Sequence, residues 1–111
     1  MEPDLLRRLS AVVKPGDTVL TLADGKPNEV VDIGPDGVWI DTERSAARTG
    51  AELVPAWMLN EAWTRLNVER SLSNRELIKV VRRSSAVVAL LAQLPNVVVA
   101  SSRPIVLRLS E

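Results

Sequence analysis

The run Ala86-Val-Val-Ala-Leu-Leu-Ala-Gln-Leu94 limits what the rest of the chain can do. As a helix it is apolar nearly all round, with Gln93 its one polar side chain. A helix without a polar face is stable only when covered on every side. The run is far shorter than the roughly 18 to 20 apolar residues of a membrane span, so other parts of the chain must supply the cover. With 111 residues the chain suits one domain over 1–111, standing alone or as one part of a longer protein.

The flanking segments show where that cover comes from. Pro3 and Asp4 suit a helix start, and Leu5, Leu6, Leu9, Val12 and Val13 recur at helical spacing. Lys14-Pro15-Gly16-Asp17 ends that helix. Strands are expected over Thr18–Ala23, Glu29–Ile33 and Val38–Thr42, the last two joined by Gly34-Pro35-Asp36-Gly37. Short strands with tight turns predict a small, strongly bent antiparallel sheet, a partial barrel of SH3 type being one form. Ser45 to Gly50 reads as a polar loop and Ala51 to Val54 as a fourth strand. Pro55 opens a helix to about Val68, with Pro55, Leu59, Ala62, Trp63 and Leu66 on one arc. At 100° per residue Trp57 lies about 160° from Leu59, off that arc.

Ser73 and Glu76 have the spacing of a capping box ahead of a short helix over Asn74–Val81. Ser84 or Ser85 is expected to cap the apolar helix, and Pro95-Asn96 stops it. Val97–Ala100 and Ile105–Leu109 flank Ser101-Ser102-Arg103-Pro104 as a hairpin. The fold class predicted is α+β: an N-terminal helix, a bent antiparallel sheet, then helices and a C-terminal β-hairpin. Helix, short helix, helix and hairpin over 55–109 is the order of a winged helix-turn-helix. One feature disagrees, since a recognition helix reads bases with polar side chains and residues 86–94 offer only Gln93.

Composition narrows the chemistry. No cysteine and no histidine are present, which removes thiolate nucleophiles, Cys or His metal ligands and the commonest general base. Asp41-Thr42-Glu43-Arg44 and the pair Glu76 and Lys79 contain residues a metal nuclease uses, without its strand pattern; Glu76 and Lys79 read as an ordinary surface pair. The five glycines are scattered and form no phosphate loop. No enzyme activity, cofactor or metal is expected. The opening Met1–Ser10 lacks a secretory signal's basic-then-apolar order, and a cytoplasmic location away from membranes is expected.

The formal net charge is zero, yet it is unevenly spread. Residues 1–64 hold six basic and eleven acidic groups, a net of −5. Residues 65–83 hold six basic and two acidic groups, a net of +4. Such asymmetry points to an anionic partner for the basic half, against the plainer reading of a solvated helix face. Arg82-Arg83-Ser84-Ser85 at a helix start is the sharpest candidate, because unpaired N–H groups and the helix dipole favour a phosphate there. Its alternative is that a serine caps the helix and the arginines pair with acids of the first half. Arg75 and Lys79 extend the basic stretch, and Ser102 and Arg103 sit at the hairpin tip, itself readable as an ordinary turn. Trp57 and Trp39 are candidates for stacking or for a partner contact, although a helix is expected to cover the face carrying Trp39.

The stretch Arg82-Arg-Ser-Ser-Ala-Val-Val-Ala-Leu-Leu-Ala-Gln-Leu-Pro-Asn-Val97, taken with Gly16-Asp-Thr-Val-Leu-Thr21 and Asp36-Gly-Val-Trp-Ile40, resembles small DNA-recognition modules of prokaryotic restriction and phage-defence proteins. The resemblance covers most of the chain and transfers no individual site residue. It implies a DNA-binding part whose nuclease or helicase lies in another domain. The expected function is therefore a non-catalytic DNA-binding module, with duplex DNA ahead of RNA. The alternative is a protein-interaction or oligomerisation module, such as a homodimer in which the acidic half docks on a basic half.

Overall fold

The computed structural model describes residues 1–42 and 50–110. The loop read over Ser45–Gly50 therefore lies outside the described residues except for Gly50, as do Glu43 and Arg44. The fold is α+β, with α1 at Pro3–Val12, then strands β1 (Thr18–Leu20), β2 (Pro27–Gly34), β3 (Gly37–Thr42) and β4 (Glu52–Pro55). Next come α2 (Ala56–Glu69), β5 (Ser71–Ser73), α3 (Asn74–Leu77), α4 (Ser84–Leu91), β6 (Val97–Ser102) and β7 (Ile105–Leu109). Among the described residues no helix is long and apolar enough to cross a membrane.

The first four strands form an antiparallel meander in the order β1-β2-β3-β4. Alternation puts Val30, Val38, Ile40 and Val54 into the core. A bulge between Val30 and Asp32 shifts the register, so Asp32 rather than Val31 faces Trp39. β1 ends at Leu20, three residues before the expected Ala23, because Thr21 N–H already turns to Lys26 O at 2.9 Å and Gly25 N–H to Thr21 O at 3.0 Å. Glu2 was not foreseen as a cap, yet its carboxylate accepts from Asp4 N–H at 2.9 Å and Leu5 N–H at 3.0 Å. Its own N–H donates to Asn60 Oδ1 at 2.8 Å, which ties α1 to α2.

Residues 56–109 contain an element that the sequence hid. β5 is three residues long and joins the C-terminal hairpin on the β7 side, giving a second antiparallel sheet in the order β5-β7-β6. The helix expected over Asn74–Val81 is regular only to Leu77. Beyond it Lys79 N–H reaches Glu76 O and Val80 N–H reaches Leu77 O, the tighter three-residue spacing, before Val81 N–H returns to Leu77 O at 2.9 Å. Ser73 does stand at the N-cap of α3, but its side chain makes no capping bond. Glu76 and Lys79 meet through that backbone bond and form no ion pair.

α4 carries the core. Ser84, Val87, Val88, Ala89, Leu90 and Leu91 are all buried. The helix contacts α2 and α3 on one side and β1 of the first sheet on another. Core side chains from both halves form one cluster, from Leu5 and Val30 to Leu107 and Leu109. Neither Ser84 nor Ser85 caps α4. Arg83 occupies the N-cap, and Ser84 is the first helical residue at 3% exposure, because the helix is sunk in the core from its first turn.

Candidate nucleic-acid interface

Hydrogen bonds continue the helical path of α3 as far as Val81. Along residues 75–82 Leu77 and Val81 are buried, while Arg75, Ile78, Lys79 and Arg82 are exposed. The result is a ridge of three cations with one aliphatic side chain among them. Leu77 and Val81 anchor it by facing the core; Arg75, Lys79 and Arg82 project because those anchors point the other way.

Arg82 and Arg83 part company here. Arg83 donates from its guanidinium to Glu52 on β4 in a half-buried ion pair. Glu52 lies opposite Ile40 and so shares the inner face of the first sheet, where it meets the start of α4. Thus Arg83 spends its charge on an acid of the first half, the alternative weighed above, and Arg82 remains exposed. Burial withdraws the Ser84 hydroxyl from any external ligand. Ser85 is exposed and opens onto a cleft of about 590 Å³. Thr21, Asp24, Lys26, Asn28 and Thr42 form the other walls of that cleft. Asn28 is held there by its Nδ2, which donates to Val19 O at 3.1 Å. The Thr21 hydroxyl donates to Asp24, and this bond first, then the charge of Lys26, holds the Asp24 carboxyl below its ordinary value.

Ser102 and Arg103 sit at the tip of the second sheet. The strands run to Ser102 and from Ile105, so the turn is only Arg103-Pro104, with a cis peptide between them. Ser102 and Arg103 are exposed. Arg108 escaped sequence reasoning, although alternation between Leu107 and Leu109 could have found it. It faces outward on β7, between Ser71 and Val98.

Trp57 is 54% exposed on the outer stripe of α2, as its place on the helical wheel required. Trp39 departs from expectation: it is 40% exposed, and among the described residues no helix covers it. The helices pack on the opposite face of that sheet, where Val30, Val38 and Ile40 drive burial. Trp63 is the buried indole, and the Arg8 guanidinium sits 5.9 Å from its ring centre. Among the described residues no three of His, Cys, Asp or Glu gather as a metal ligand set. Compared with family models, curated proteins and solved structures, the chain matches none.

Proposed function

We propose that this chain is a non-catalytic DNA-binding module that grips the phosphate backbone of duplex DNA. The observation that carries this reading is where unpaired cations lie. Arg7 and Arg8 are bound to Asp4, Lys26 to Asp24, Arg65 to Glu61 and Arg83 to Glu52. The Lys14 ammonium donates to Ser10 O at 2.6 Å. Among the described residues Arg75, Lys79, Arg82, Arg103 and Arg108 have no internal acceptor, and all lie beyond residue 74. A cation with no internal partner is available to displace counterions from phosphate.

Element order supports the same reading. Helix, strand, helix, helix and hairpin, with β5 paired to β7 as the central strand of the sheet, is the order expected of a winged helix-turn-helix. Here α4 would stand as the recognition helix, but it is buried along most of its length, with Ser85 exposed near its start, and it touches β1 of the first sheet. Base edges are then beyond its reach, and the contacts are to phosphates through the ridge Arg75, Lys79 and Arg82 with the hairpin tip Ser102-Arg103. Such contacts fix position and carry little sequence information. A nuclease or helicase of a cytoplasmic restriction or defence system, carried on another domain or chain, would supply the chemistry.

Anisotropy titration of a labelled duplex across a salt series tests the proposal. Each phosphate contact contributes about 0.9 to the slope of log affinity against log salt, so Arg75→Ala, Lys79→Ala and Arg82→Ala together should flatten it by about 2.7. Affinity should fall equally for unrelated sequences. Arg83→Ala should change the slope less than Arg82→Ala, because its charge is already engaged. Undetectable duplex binding at low salt, or an affinity indifferent to the triple substitution, would overturn the reading.

A further inference from the structure

Trp39 stands exposed on the outer face of the first sheet, which has its own chemistry. In one cross-strand row Asp32 faces Trp39, and Trp39 faces Leu53. In the next row Glu29 stands directly opposite Asp41. Like charges directly opposite are unfavourable in an antiparallel pair. Among the described residues Glu29 and Asp41 have no ion pair, and Asp41 Oδ1 is shielded from solvent without a hydrogen-bond donor. An exposed indole bordered by the exposed carboxylates of Asp32 and Glu29 presents an apolar, anionic surface, suited to a cation stacked on the ring and flanked by acid.

The same molecule carries the complement. The ridge of α3 and the following turn sets Ile78, 61% exposed, among Arg75, Lys79 and Arg82. Phosphate has no use for an aliphatic side chain in the middle of its contact, whereas an indole and a leucine do. Charge and apolar content match between the two faces. We propose that the Trp39 face of one copy receives the Arg75–Arg82 ridge of a second copy. Ile78 lies toward Trp39 and Leu53, and the cations meet Asp32 and Glu29. The ridge is then shared between self-association and any polyanion, and the two compete. This inference does not require that the polyanion be DNA.

Sedimentation velocity of the whole chain at rising concentration and low salt tests it. The wild type should associate, and added salt should weaken the association because the charges lie at the surface. Two variants each break one face: Glu29→Lys with Asp32→Lys, and Arg75→Glu with Lys79→Glu. All four positions are exposed, so far-UV circular dichroism should match the wild type. Each variant alone should stay monomeric, and an equimolar mixture should associate, since the intact face of one meets the intact ridge of the other and the two reversed surfaces are complementary as well. Trp39→Ala, which alters no charge, should weaken association about tenfold or more. The proposal fails if the wild type is monomeric throughout, if association persists in both reversal variants, or if the mixture does not pair. It also fails if a monomeric wild type binds a Lys/Arg-rich peptide on Trp39, because the occupant is then another protein. The acidic-face variant keeps its cationic ridge, so its duplex affinity should not fall, and this proposal can fail without the DNA reading.

Discussion

Gly37 shows how little room single residues have in the first sheet. Its φ is +136°, a conformation that side chains rarely adopt. A Cβ built there would lie 2.1 Å from Val54 O and 2.9 Å from Ala56 N. Both contacts are backbone, so neither can step aside. Ala56 N–H also donates to Asp36 O at 2.8 Å, so the start of α2 is fastened to the same turn. Gly37→Ala should therefore cost about 3 kcal/mol or more, read as the shift in a denaturant midpoint. A loss under about 1 kcal/mol would mean that β3 and β4 can separate at no cost. Asp4 illustrates a gentler constraint. Hydrogen bonds from Arg8 first and Arg7 second hold its carboxyl below the ordinary range. Because the folded value is the lower one, its contribution to stability is complete above the unfolded value of about 3.9 and is lost as pH falls through the folded value. A carboxyl NMR titration should place the Asp4 midpoint below that of an unstructured Asp. Arg7→Gln with Arg8→Gln should move it back up.

Among the elements, α4 is the one on which the others depend. Leu90 is 2% exposed within the common cluster, and Leu90→Ala should cost roughly 2 to 5 kcal/mol by loss of transfer energy and creation of a cavity. Amide exchange should be slowest from Val87 to Leu91, because opening there exposes the apolar surface of both halves. Fast exchange over those five residues would show that α4 opens independently. The outer stripe of α2 is the contrasting case. Trp57 and Val68 both project from it, and Trp57→Ala should shift the melting temperature by only a degree or two while leaving far-UV dichroism intact. A fall as large as that of Leu90→Ala would put Trp57 in a contact that a lone chain does not make.

The whole molecule has two sheets and one interior. α2 packs on β3 and β4 of the first sheet and on β5 and β7 of the second, and α4 touches β1. Neither half can close its apolar surface without the other. Unfolding should be a single transition in which fluorescence of the buried Trp63 and far-UV dichroism change together. A peptide of residues 1–55 should not fold, since Val30, Val38, Ile40 and Val54 would lose their cover. Two separable transitions, or a folded 1–55 peptide, would refute the shared interior.

Periodicity and punctuation were enough to find most of the elements. The apolar run of α4, the turns between β2 and β3 and at Arg103-Pro104, and the off-core place of Trp57 are local patterns, and local chemistry sets them. β5 was invisible because three residues, Ser71-Leu72-Ser73, carry no period; they become a strand only when β7 arrives beside them. The division of the basic residues was equally hidden. Arg82 and Arg83 are neighbours of one chemistry, but the turn into α4 sends Arg83 to Glu52, 31 residues away, and leaves Arg82 in solvent. Trp39 differs from its inward neighbours Val38 and Ile40 only by strand phase, and which face the helices cover depends on how both halves pack. The sequence by itself determined most of the helices and strands and that the basic charge gathers in the second half. Only the tertiary structure decided which cations are already engaged and which faces stay open, because those outcomes depend on contacts between residues far apart in the chain.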